Sequence, residues 1–217
     1  MSGIIHTVFG RTPPPIPPPE LGSVYQGGYM GGQMSTTQNG VATHNIVVAP
    51  LATGSGSMVW KTSATASPAN PDGYDGYANS VALYTAGHTA AIWCRQLTIG
   101  GYTDWYFPSM QEIEILYWNL KPSTAAHNGT IWPGNNIAVP NRSTLTTYAT
   151  HPGQTQVAIF QAGGAQAFAQ DGYWTSNQWG DTWGRFTTFN DGFAWGMVKY
   201  NNCNVRAIRK VVVGTAP

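Results

Sequence analysis

LTIGGYTDWYFPSMQEIEILYWNLKP, Leu97 to Pro122, contains a reversal followed by a helix, and its reading sets the fold class. In the second half Ser109 stands three residues before Glu112, the spacing of a capping box. Ile113, Leu116, Tyr117 and Leu120 then recur at helical intervals, and Pro122 stops the run. A helix is expected over 110–120. In the first half Gly100 and Gly101 allow the chain to reverse, and Asp104 can accept from backbone amides of that turn. Trp105 supplies an apolar plate for both flanking helices. Upstream, Ala90, Trp93, Cys94 and Leu97 form a stripe closed by the two glycines, which predicts a helix over 88–98.

Past Lys121 no helical pattern of that length recurs. Short extended runs alternate with turn clusters in QTQVAIFQA, DGYWTSNQ, GRFTTFNDG, AWGMVKYN and NVRAIRKVVV, and Asn190-Asp191-Gly192 marks a hairpin. Toward the N-terminus, RTPPPIPPPELG (Arg11 to Gly22) puts six prolines in seven positions, a polyproline II rod of roughly 20 Å at about 3.1 Å per residue. It reads as a stiff spacer or an arm laid along a partner. After it, SVYQGGYMGGQ and GVATHNIVVAPLA flank the turn signal Asn39-Gly40, while Ser55 to Asp75 reads as loop. Three regions are expected: an arm with the polyproline segment at 1–22, a small β-element at 23–65, and an α+β domain of two helices and twisted antiparallel sheets at 66–217.

Composition narrows function. Hydrophobic residues make up 42% of the 217, enough for one core, whereas only 9% are charged and the net charge is +1. Such a balance steers toward neither nucleic acid nor an acidic membrane. No stretch has the roughly 18 apolar residues of a membrane span, and MSGIIHTVFG lacks the parts of a secretion signal, so neither membrane insertion nor autonomous export is expected. His6, His44, His88, His127 and His151 are scattered without metal-ligand spacing, and two cysteines form no metal knuckle. Nucleotide-binding and G-x-S-x-G motifs do not occur. Of the carboxylates only Asp181 and Asp191 invite comparison with a glycosidase pair, and Asp191 already has a role in its hairpin turn. No catalytic residue, metal or cofactor is therefore expected.

Three blocks resemble the Lcl C-terminal-like family, a domain family of unknown function with a C-type lectin-like fold found in bacterial surface proteins and bacteriophage tail proteins. They are Gly100 to Glu112 (GGYTDWYFPSMQE), Tyr173 to Ser176 (YWTS) and Val205 to Arg209 (VRAIR). The resemblance implies a framework of Gly101, Asp104, Trp105, Pro108, Ser109, Glu112, Tyr173, Trp174, Arg206 and Arg209, in which the two arginines meet Asp104, Glu112 or carbonyl groups. It also implies that the first helix lies against the closing strand, so that Cys94 and Cys203 either form a disulfide, worth roughly 4 to 5 kcal/mol for so long a loop, or remain buried thiols. The triplets of calcium-dependent lectins are missing from the sequence.

In such folds the later loops and strands form a recognition surface. Here that region offers Asn177, Trp179, Asp181, Trp183, Arg185, Phe193, Trp195, Tyr200 and Asn202, a mixture of rigid aromatics and adaptable polar groups suited to a partner surface or a stacked sugar. Trp174 is expected inside. Trp179 and Trp183 are expected outside or at a subunit interface, and one of Phe186 and Phe189 faces outward unless another layer covers it. The resemblance implies a virion protein made in the host cytoplasm. It would join other virion proteins through its arm, bind a host glycan or protein through the C-terminal surface, and form a homo-oligomer such as a trimer. A structural virion part whose aromatics are buried on assembly is the alternative, and a glycan-cleaving enzyme a third.

Overall fold

The computed structural model describes residues 16–68, 73–128, 135–141 and 152–215. The leading arm, the first three prolines of the rod, His6 and His151 lie outside the described residues. The fold is α+β with sheet predominating.

One sheet runs β1 (Val24–Tyr25), β2 (Gly28–Met34), β3 (His44–Val48) and β10 (Ile208–Val212), with β5 (Ala138–Val139) on β2. The other runs β4 (Ser55–Val59), β9 (Asn202–Arg206), β6 (Gly172–Trp179), β7 (Trp183–Thr188) and β8 (Ala194–Val198). Four α-helices are described: α1 (Leu51–Gly54), α2 (Gly76–Ala82), α3 (Thr89–Gln96) and α4 (Met110–Leu120).

The closing run changes sheets at a single residue. β9 pairs with β4, β10 pairs with β3, and between them buried Ala207 donates to Gly54 and accepts from Ala49. Residues 23–65 thus feed strands into both sheets, and hydrogen bonding crosses the expected boundary at 65/66. The stretch read as loop from Ser55 to Asp75 begins as β4. Its Gly/Ser-rich sequence has no β signal of its own, and its strand geometry comes from pairing with β9, from Ser55 opposite Arg206 to Val59 opposite Asn202.

α4 has the predicted bounds, and both halves of the capping box are formed. α3 falls within the predicted 88–98. The four-residue turn α1 and the helix α2 correct the expectation of two helices, and α2 is the longer of the additions. It is seven residues long, too short for a clear apolar stripe, and Asp75 starts it by accepting from the Ala78 amide at 3.1 Å.

The core has two clusters. Trp105 packs with Ala90, Ala91 and Cys94 of α3 and with Trp60 and Trp174. The apolar face of α4 belongs to the second cluster, around Tyr106, Phe160, Phe168, Tyr173 and Phe189. Trp105 is therefore the plate for α3 only. Its neighbour Tyr106 serves α4, because successive residues of an extended segment point in opposite directions.

Cys94 and Cys203 share the first cluster but are free and buried, so the disulfide alternative is not realised. Burial pushes the Cys94 thiol well above its usual range and Cys203 up to about 12. Both shifts favour the protonated thiol at neutral pH.

Candidate functional site: a tryptophan cleft on the second sheet

The site is built on β6, β7 and β8. Along β6 the register with β7 slips: Trp174 faces Phe186 but Gln178 faces Gly184, so four steps on β6 match two on β7. Such a bulge bends its strand and re-aims side chains. Before it, Tyr173 and Trp174 point into the core, with the Trp174 indole donating to the Met58 carbonyl at 3.1 Å. After it, Trp179 stands opposite Trp183 on the solvent side.

Trp179, Trp183 and Trp195 are 41%, 39% and 44% exposed. Trp179 meets Trp195 edge to face at 4.8 Å and Trp183 at 6.2 Å. With Thr182 they line an open cleft of about 340 Å³. Arg185 lies 4.9 Å from the centre of the Trp179 ring, and Phe193 stacks on Trp195 at 6.3 Å. Burial lowers the Arg185 pKa, as expected for a guanidinium laid on aromatic carbon. Gly196 leaves the space that the indoles fill, since a Cβ there would stand 2.8 Å from Trp179 and 2.9 Å from Trp183.

The expected surface residues divide. Trp179, Trp183 and Trp195 converge on the cleft, with Arg185 and Phe193 against its walls. Asp181, Tyr200 and Asn202 are exposed but do not line it. Asn177 is a correction: it is buried, and its side-chain oxygen accepts from the Met110 amide at 2.8 Å, so it serves the start of α4. The bulge turned it inward. Phe189 is buried, and Phe186 is half-buried against the core, so neither is left as an uncovered outer face.

The framework residues meet across long sequence distances. Both Asp104 oxygens accept from Arg209, at 2.7 and 2.9 Å, instead of serving the turn amides. Buried Pro108 accepts from the Ser176 amide at 2.8 Å, joining the first two blocks. Gly100 and Gly101 both have positive φ, at 61° and 82°, which makes the predicted reversal. Arg206 reaches carbonyl groups, Ala49 at 2.7 Å and Gln166 at 3.4 Å.

Lys199 was missed by sequence reasoning. It is fully buried, and its three N–H groups are shared among four acceptors, Asp181 O at 2.7 Å, Gln178 Oε1 at 2.8 Å, and Thr65 O and Ser67 Oγ at 3.1 Å each. Burial, with help from Lys61, lowers its pKa to about 8. The ammonium thereby ties the β6–β7 turn to the 65–67 segment, beside the Trp60 ring at 4.8 Å. The available signal was its rarity: a lysine between apolar Val198 and Tyr200 in a chain with few charges.

His127 supports the β7–β8 hairpin from the other side. It bonds Tyr117 Oη at 3.0 Å, and the next residue's amide, of Asn128, donates to Asp191 O at 2.7 Å. Burial, followed by the charge of Lys121, lowers its pKa to about 4. A folded-state pKa below the unfolded value of about 6.5 means that the unfolded chain binds the proton first, so stability is lost as pH falls from about 6.5 to 4. His44 and His88 are shifted in the same direction and buried Glu112 in the opposite one, so the informative quantity is a difference between proteins. Moving from pH 7.5 to 4.5 is expected to cost wild type about 2 kcal/mol more than His127→Gln. Urea unfolding of both proteins at the two pH values measures this.

Among the described residues no group of His, Cys, Asp and Glu could hold a metal, and no helix is long and apolar enough to cross a membrane. No family model, curated protein or solved structure matches the chain.

Proposed function

We propose that this chain is a bacteriophage virion protein of the tail fibre or baseplate. In this reading a C-type lectin-like domain, its two sheets completed by strands from residues 23–65, binds a host surface glycan or protein through the tryptophan cleft, and the proline-rich arm joins other virion proteins. Synthesis is in the host cytoplasm, and the working form is a homo-oligomer such as a trimer. Two observations support the lectin-like assignment: the sequence blocks that carry the resemblance are in direct contact, Asp104 with Arg209 and Pro108 with Ser176.

The observation that carries the function is the cleft. Three tryptophans left 39–44% exposed around one concavity is a poor arrangement for a surface that stays wet, because indoles are among the largest apolar groups a chain can bury. Edge-to-face rings present flat walls at steep angles, 76° and 81° here, into which a sugar ring or an apolar side chain can wedge. Thr182 in the lining and Arg185 against the Trp179 ring supply hydrogen-bonding groups.

Particles carrying Trp179→Ala with Trp183→Ala are expected to assemble in normal yield and to lose adsorption to host cells by roughly a hundredfold, as for two hot-spot aromatics. Gly196→Val is expected to weaken adsorption while retaining all three indoles, by pushing them out of place. Failure of assembly would favour the structural role in which a neighbouring subunit covers the aromatics. Turnover of host polysaccharide that disappears in Asp181→Asn would favour an enzyme.

A further inference from the structure

A second groove, of about 330 Å³, lies away from the tryptophan cleft, between the last turn of α4 and the segment 152–157. Its lining includes Trp118 and Asn119 from α4, Gln156 and Val157 from the facing segment, and Leu21. None of the lining residues is charged. Leu21 is also the root of the proline run. Ile16, Pro17 and Pro18 are exposed, and none of them lines the groove. Ahead of Ile16 lie fifteen more residues, including Pro13, Pro14 and Pro15.

We infer that the groove receives the proline-rich arm, Pro13 to Pro19, of a second copy of this chain. A polyproline II rod keeps its backbone carbonyls free of internal hydrogen bonds and presents pyrrolidine rings at a regular pitch. It is recognised by a groove that combines an aromatic wall with amide donors. Trp118 supplies the wall. Among the nearby amides, Asn119 already donates to the Gly31 carbonyl at 3.0 Å and Gln154 to the Pro122 carbonyl at 2.8 Å, which leaves exposed Gln156 as the donor to the incoming carbonyls. The match in charge is also good, since the seven arm residues and the groove are both uncharged.

The arm's direction selects the second copy. The arm joins the body at Leu21, which lines the groove, and the described residues just ahead of it, Ile16, Pro17 and Pro18, are exposed and do not line it. To enter its own groove it would have to reverse within a run of prolines whose φ is fixed and whose rod is stiff over several residues. A neighbouring copy needs no reversal. Exchange of arms in this way closes a dimer if reciprocal and a ring if head to tail, through the same contact.

The test uses the full-length chain and a full-length variant with serine at Pro13, Pro14, Pro15, Pro17 and Pro18. Wild type is expected to sediment as an oligomer and the variant as a monomer. A synthetic peptide spanning Arg11 to Glu20 is expected to bind the monomeric variant, read by tryptophan fluorescence. Adding Val157→Asp or Gln156→Ala should weaken that binding by about tenfold or more. A variant that remains oligomeric, or a peptide that does not bind, overturns the proposal. A monomeric wild type that rejects the peptide while the serine variant accepts it overturns the exchange and assigns the groove to the chain's own arm.

Discussion

Glu112→Ala is expected to lower the unfolding free energy by roughly 3 to 5 kcal/mol and the melting temperature by on the order of 10 °C. The Glu112 carboxylate is completely buried and accepts three hydrogen bonds: from the Ser109 amide at 2.8 Å, the Gly76 amide at 3.1 Å and the Tyr106 hydroxyl at 2.7 Å. Alanine leaves all three donors without this acceptor, and each buried orphan costs about 1 to 3 kcal/mol. Part of the loss is offset, because burial disfavours the charged carboxylate, as its raised pKa records. Glu112→Gln can keep its oxygen on the Ser109 and Gly76 amides and donate its NH₂ to the Tyr106 hydroxyl, which also accepts, so most of the loss is expected to be recovered. Thermal melts of the three proteins at pH 7 decide this. A loss below about 1 kcal/mol for alanine, the size of a simple surface cap, would show that the link from α4 to α2 and Tyr106 carries no weight.

The second large effect belongs to Arg206→Ala, with a loss again of roughly 3 to 5 kcal/mol. The side chain is fully buried, and neither of the two ion pairs among the described residues includes it. Its Nε donates to the Ala49 carbonyl, its Nη2 to Gln166 Oε1 at 3.2 Å, and its guanidinium lies 5.1 Å from the Phe168 ring centre. Gln166 Oε1 also accepts from the Leu51 amide at 2.8 Å, so the arginine anchors the 162–168 loop to the point where β3 gives way to α1. Burial lowers its pKa to about 10, which still leaves it cationic at neutral pH. Alanine creates a cavity and orphans two carbonyl groups. Arg206→Met fills most of the volume and removes a costly buried charge, so it should recover about half of the stability. Arg206→Lys should do no better than Met, because one ammonium cannot reproduce a fork that serves Ala49 and Gln166 together. Urea denaturation separates the three.

Signals carried within one turn or one helix were legible in the sequence. The capping box of α4, the apolar stripe of α3, the reversal at Gly100-Gly101 and the hairpin at Asn190-Asp191-Gly192 depend on residues a few positions apart, and their chemistry acts at that range. The outward Trp179 and Trp183 were also legible from the Gly, Asp and Asn around them, whereas the inward Trp174 was implied by the resemblance of Tyr173 to Ser176. β4 and α2 were not. Ser55–Val59 is a strand because β9 offers its backbone, and Gly76–Ala82 is a helix fastened at its first amide by a carboxylate 36 positions away. Asn177 and Lys199 were misjudged for a related reason: a polar residue's role depends on which acceptor or donor the fold brings to it.

By itself the amino-acid sequence determined which segments reverse, which coil, and which aromatics have no local partner, because turn preferences and periodic apolar spacing act over a few residues. Tertiary structure alone decided that Trp179, Trp183 and Trp195 share one cleft. That convergence depends on a register slip in β6, the pairing of β7 with β8, and the missing side chain at Gly196. Cross-strand register is set by hydrogen bonds between distant segments and by which side chains the core accepts, and neither is written in any one stretch of the chain.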